Sequence, residues 1–320
     1  MRVSRGLLFW GLGFITAGAV ALAVQQDIID RNAVFNAWRL WPLILIAIGL
    51  SLIARRTPWA MAGTAISAVV IGAIVGGLVA VGGTVSITCG GSDPTSLTDH
   101  SGTFGSAADV SLEMNCGSMD VSMTGGDGWV ASVGTTGSTM PSVTSDPGSL
   151  RIRSANMSGW FIDHGREKWV VRLPIGTSYT ASVKPNAASV RLDLSGGRFD
   201  SLTVQPNAGD VHLTLDGASV TSFDLEMNAG SASIMVNPST SLEGDVQMNA
   251  GTLELCAASS VAFRITSSGT AYSTDVNAPG VSRDGDTWTS GNYATAQQRI
   301  TLTVHGNAAS FTLNPSGGCS

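Results

Sequence analysis

Asp224 and Asp245 stand 21 residues apart, at equivalent places in a repeated pattern. Two carboxylates held close together are the machinery of glycoside hydrolysis, and stacked strands would bring these two to about 5 Å. Nothing in the sequence marks them as more than exposed neighbours on a solvated face. His100, His164, His212 and His305 are scattered, with no second ligand at zinc spacing. Ser is abundant, yet there is no Gly-x-Ser-x-Gly elbow. The sequence therefore nominates no catalytic residue, no metal ligand and no cofactor, and the chain is not expected to be an enzyme.

Three other groups of residues carry information. Cys89, Cys116, Cys256 and Cys319 fit an oxidising compartment. Pairing Cys89 with Cys116 and Cys256 with Cys319 would staple both ends of the domain, although four cysteines permit three connectivities and free thiols remain an alternative. The segment 156–169, NMSGWFIDHGREKW, concentrates Trp160, Phe161 and Trp169 among charges. Clustered aromatics beside Arg are typical anchors for a partner; rings capping the end of a repeat stack are the competing reading. The third group is a ladder of asparagines, Asn115, Asn186, Asn207, Asn228 and Asn249, whose spacing makes it structural. Asn tolerates left-handed backbone, bonds its own chain at turns, and can bond from layer to layer.

These residues sit on a 21-residue repeat. Pro206-Asn207-Ala208-Gly209, Met227-Asn228-Ala229-Gly230 and Met248-Asn249-Ala250-Gly251 are in strict register, with Pro185-Asn186-Ala187-Ala188 one period earlier. Apolar residues alternate after each corner, as in Val211, Leu213 and Leu215, and before it, as in Leu202, Val204 and Pro206. A fixed period with two-residue alternation predicts stacked, half-buried strands, a β-solenoid with a 21-residue rung. Its outward columns are mixed. Five residues past each Asn stand Asp120, Arg191, His212, Ser233 and Glu254, with no run of carboxylates of the kind a repeated calcium site needs.

Ahead of the repeat, residues 1–85 hold three apolar stretches, about 6–24, 38–54 and 59–85, long enough to read as transmembrane helices. Arg2, Arg5, Arg55 and Arg56 would hold their loops in the cytoplasm, so residues 86–320 should form an extracytoplasmic domain on the plasma membrane. That exported part has 21 Asp and Glu against 11 Lys and Arg, within a whole-chain net charge of −6. Acidity of this degree repels phosphate backbones, so nucleic acid is not an expected partner.

Two stretches resemble known families. Arg5-Gly6-Leu7-Leu8-Phe9-Trp10-Gly11 and the later Trp38-Arg39-Leu40-Trp41-Pro42-Leu43-Ile44-Leu45-Ile46-Ala47-Ile48-Gly49-Leu50 resemble the membrane region of LiaF-like proteins of Gram-positive bacteria. The run Val171-Arg172-Leu173-Pro174-Ile175-Gly176, with Ala188 to Leu194 and Asn207-Ala208-Gly209-Asp210, is similar to toast-rack (putative-adhesin) β domains. The resemblance implies an envelope protein, in some relatives an accessory to cell-wall stress signalling, and brings no catalytic residues with it. Relatives often have four membrane helices, whereas this sequence shows three. The expected function is binding or scaffolding in envelope stress sensing or organisation. A surface module that binds wall polymer without signalling is the alternative, and a polysaccharide-acting enzyme a distant third. Expected partners are membrane lipid and either a membrane protein or a cell-wall polymer.

Overall fold

The computed structural model describes residues 12, 14–16, 92–155 and 165–316. The chain divides into two compact units, Met1–Ile87 and Thr88–Ser320. In the first, Leu12, Phe14, Ile15 and Thr16 are helical, with Phe14 and Ile15 exposing their apolar side chains. Among the described residues no helix is long and apolar enough to cross a membrane. The rest of the three expected helices lies outside the described residues.

The second unit is all-β. Its strands are β1 (Thr98–Thr103), β2 (Ala107–Thr124), β3 (Gly128–Thr135), β4 (Ser142–Asp146), β5 (Ser149–Arg153), β6 (Glu167–Pro174), β7 (Ser178–Asp193), β8 (Arg198–Val204) and β9 (Ala208–Thr214). They continue with β10 (Ser219–Met227), β11 (Ser231–Val236), β12 (Ser241–Ala257), β13 (Phe263–Gly269), β14 (Ser273–Val276), β15 (Val281–Asp284), β16 (Thr287–Ser290) and β17 (Ile300–Leu313).

Pairing in the middle of the stack is parallel and follows the repeat. Val190, Val211, Ala232 and Leu253 are successive partners along β7, β9, β11 and β12, each 21 residues from the last. Strands before the corner pair likewise, with Leu202 of β8 beside Phe223 of β10, and Phe223 beside Gly244 of β12. The alternation expected from sequence is present: Val211, Leu213 and Leu215 are buried, whereas His212 and Thr214 are part-exposed. Apolar residues from both sets of strands form one continuous core.

The corner explains the Asn-Ala-Gly signature. Gly209, Gly230 and Gly251 have φ of 120°, 121° and 126°, a region open to Gly at no steric cost. A Cβ added to Gly230 would lie 2.0 Å from the carbonyl oxygen of Gly209. Each corner therefore packs on the backbone of the one before it, with no room for a side chain. Beside them the asparagines form a continuous ladder. Asn186 Nδ2 donates to Asn115 Oδ1 at 2.8 Å, Asn207 to Asn186 at 2.8 Å, Asn228 to Asn207 at 2.6 Å, and Asn249 to Asn228 at 2.8 Å.

Two features depart from the repeat. Asn307 extends the ladder, donating to Asn249 Oδ1 at 3.1 Å, although it follows 58 residues later. The insertion β13–β16 accounts for the delay, and β17 then pairs in parallel with β12. At the other end the layers turn antiparallel, with β3 between β1 and β6 and with β4 on β5. Those strands close the N-terminal end with local hairpins instead of repeat rungs.

Candidate binding surfaces

The columns read from sequence are real neighbours. Asp120, Arg191, His212, Ser233 and Glu254 are successive register partners on one face. A shallow recess of about 310 Å³ opens between Ser118, Asp120, Ser189, Arg191 and His212, and His212 Nδ1 bonds Ser233 Oγ at 2.8 Å. On the other face Asp224 is the direct partner of Asp245. Burial raises the Asp224 pKa, and the charges of Glu226 and Asp245 push it further in the same direction. Its Oδ1 is buried without a hydrogen bond, while Glu226 Oε2 accepts a 2.8 Å bond from Gln205 Nε2. The pair thus has the proximity expected from sequence, with Thr203 beside Asp224 on β8 and Glu226 near it on β10, and among the described residues neither acid is in a salt bridge. Among the described residues no three His, Cys, Asp or Glu side chains converge as metal ligands.

The aromatic segment resolves differently from the expected surface anchor. Trp169 lies in β6 with 0% exposure, so it belongs to the core and cannot anchor a partner. Strand alternation explains the correction: Glu167, Trp169 and Val171 face inward, while Lys168 and Val170 face out. Trp160 and Phe161 lie outside the described residues. The charges in the segment's last four residues serve structure. Arg166 Nε donates to Asp93 Oδ1, Lys168 Nζ stands 3.6 Å from Asp93 Oδ2, and Ser118 Oγ donates to Asp93 Oδ2 at 3.3 Å. These contacts hold the start of the domain to β2 and β6. The Arg166 hydrogen bond is the main reason the Asp93 carboxyl sits below its usual range.

Sequence reasoning missed the buried acid beside Trp169. Glu167 faces the core at the first position of β6, next to the corner at Gly117. Asn115 N–H donates to Ser154 Oγ at 2.8 Å, and Ser154 O–H donates onward to Glu167 Oε2 at 2.7 Å. Burial pushes the Glu167 carboxyl up to about 7, against smaller opposing pulls from Ser154 and the Trp169 indole. That indole lies near the carboxylate without hydrogen-bonding geometry, and its Nε1–H stays unpaired. Inward alternation from Val171 back to Glu167 was the signal that could have found this residue.

Cys116 and Cys256 are both disulfide-bonded; Cys89 and Cys319 lie outside the described residues. Cys116 is on β2 and Cys256 on β12, with β7, β9 and β11 between them. Four strand spacings amount to about 19 Å, far beyond disulfide reach, so the two are not bonded to each other. Cys256 stands in an outward column yet is only 8% exposed. Nearby, Asn314 N–H donates to Leu255 O at 2.9 Å, and Asn314 Oδ1 accepts from Ala257 N–H at 2.8 Å.

Two family models match separate stretches of the chain. Residues 99–237 match the model of the N-terminal domain of toast_rack, DUF2154, and residues 8–53 match that of the LiaI-LiaF-like transmembrane region. No curated protein matches the chain. Among solved structures, a "putative cell adhesion protein" from Clostridium sporogenes is 11% identical with a TM-score of 0.43, covering 68% of this chain and 98% of its own. A "putative adhesin" from Bacteroides fragilis is 11% identical with a TM-score of 0.29, covering 70% of this chain and 100% of its own. At those scores the strand register above, not the likeness, defines the fold. The chain thus carries a match to the LiaI-LiaF-like transmembrane region ahead of a match to the toast-rack N-terminal domain.

Proposed function

We propose that this is a membrane-anchored, extracytoplasmic β-solenoid that acts by binding, in sensing or organising the cell envelope. The observation that carries the reading is the union in one chain of a match to the LiaI-LiaF-like transmembrane region with a match to the toast-rack N-terminal domain. Corner glycines locked on each other and a side-chain ladder spanning six asparagines leave little for the scaffold to do but hold its faces in fixed register. Three membrane helices, with the Arg clusters inside, would present the stack to the exterior. On this reading the domain has no catalytic centre and engages a membrane protein through Trp160 and Phe161.

Cross-linking of the full-length chain in intact cells tests it. Recovery of a sensor kinase or another defined membrane protein supports the reading, provided that replacing Trp160 and Phe161 by Ser abolishes the cross-link while leaving the melting temperature unchanged. Recovery of wall polymer alone favours a surface module without signalling. Early unfolding of the double variant would mean that the rings cap the stack.

A further inference from the structure

At the N-terminal end of the stack, the β4–β5 hairpin and strand β2 enclose a recess of about 580 Å³. Its polar lining comes from Asp109 and Ser111 of β2, Thr144, Ser145 and Asp146 of β4, and Arg151 of β5. The volume lies within the usual range for small-molecule sites. One wall is fixed by its own hydrogen bonds. Asp146 Oδ1 accepts from Gly148 N–H at 2.9 Å and Oδ2 from Ser149 O–H at 2.7 Å, which closes the turn at Pro147-Gly148. Asp109 N–H donates to Gly148 O at 2.8 Å and ties β2 to that turn.

Thr144 Oγ1 donates to Arg151 O at 3.5 Å within the hairpin; among the described residues the remaining polar side chains of the lining are not used by the fold. The Asp109 carboxylate makes no hydrogen bond or ion pair, and neither do the hydroxyls of Ser111 and Ser145. Arg151 pulls electrostatically on Glu113, but Glu113 is bonded to Arg153 at 2.9 Å, and the Arg151 guanidinium keeps all its donors. Asp109 is the register partner of Ser149, and Ser111 that of Arg151. A carboxylate and a guanidinium therefore face one recess without pairing with each other.

We propose that this recess binds a saccharide unit carrying a carboxylate. Asp109 accepts hydrogen bonds from neighbouring hydroxyls of the sugar, Ser111 and Ser145 bond the remaining hydroxyls, and the Arg151 fork takes the carboxylate. The two aspartates on the same walls disfavour a dianionic phosphate more strongly than a singly charged carboxylate. The inference needs the exported placement proposed above, but neither the signalling role nor the aromatic segment.

The test is titration of the full-length chain in detergent micelles with the disaccharide of N-acetylglucosamine and N-acetylmuramic acid, and with its methyl ester. Saturable binding of the acid, with the ester weaker by about tenfold, is expected. Arg151→Ala should erase the difference between acid and ester. Asp109→Asn should weaken both by about tenfold. Both side chains are exposed, so the melting temperature should hold. Absence of saturation by about 10 mM, equal binding of acid and ester by the unaltered chain, or indifference to both substitutions would overturn the proposal. Continued capture of a membrane partner in the same preparation would show that the proposed function survives that failure.

Discussion

Glu167 is a liability that the fold retains, and its cost depends on pH. Its carboxyl is raised by burial from the ordinary 4.5 to about 7. A group whose folded pKa exceeds its unfolded value contributes stability that is complete below the unfolded pKa and lost as pH rises through the folded one. On this account the contribution is full below about pH 4.5, and the domain should lose up to about 3 kcal/mol by pH 8. Urea unfolding at pH 5 and pH 8 checks it. Glu167→Gln keeps an acceptor for the Ser154 hydroxyl and should flatten the difference. A slope that survives the substitution would assign the pH dependence to another group. Trp169 belongs to the same corner, and Trp169→Ser should cost about 3–5 kcal/mol by truncating a fully buried ring.

At the scale of the element, register governs what a substitution does. Leu213 points inward between Leu192 and Ile234, whereas His212 stands outward between Arg191 and Ser233. Leu213→Asp would bury an unpaired carboxylate and should cost on the order of 3–5 kcal/mol. His212→Asp should cost less than about 1 kcal/mol. Thermal unfolding of the two variants compares them, and equal damage would mean a slipped strand. Chain reach makes a second prediction. Cys319 follows Asn314 by five residues, and Asn314 is bonded to Leu255 and Ala257 beside Cys256. Cys89 precedes Asp93 by four, and Asp93 is bonded to Ser118 near Cys116. The crossed pairing, Cys116 with Cys319, would have to span about five strand spacings or 24 Å across the stack and also the offset of about six residues along the strands between Asn314 and the Cys116 corner, more than five residues and the bridge together can cover. Non-reducing peptide mapping should therefore find Cys89–Cys116 and Cys256–Cys319; a crossed pair would contradict the strand order.

For the whole molecule, the decisive prediction is topological. With Arg2, Arg5, Arg55 and Arg56 inside, the β domain should be outside. Ser219 is exposed at the start of β10, so Ser219→Cys should react with a membrane-impermeant thiol reagent on intact cells. Labelling only after lysis would place the domain in the cytoplasm and remove the basis for an envelope ligand. The uneven charge of the stack belongs to this scale too. Between Phe199 and Phe263 there are eight acidic residues and no Lys or Arg, so rungs β8 to β12 form an acidic belt that should keep polyanions away.

The central rungs were legible in the sequence because one local rule repeats there. A corner built on Asn followed by small residues recurs every 21 residues, and alternation between corners assigns each side chain to core or solvent. A membrane region was legible over residues 8–53, which match the LiaI-LiaF-like transmembrane model, because apolar run length is a local property. The antiparallel hairpins at the N-terminal end and the delayed rung of β17 broke the period, and only long-range pairing placed them. The same long-range pairing made Asn307 the sixth step of the ladder and removed Cys116–Cys256 from the possible bonds. It also brought Asp109 and Arg151 to one recess from strands some forty residues apart. Composition and spacing could not foresee that meeting, since it depends on where a hairpin folds back and not on what either strand contains.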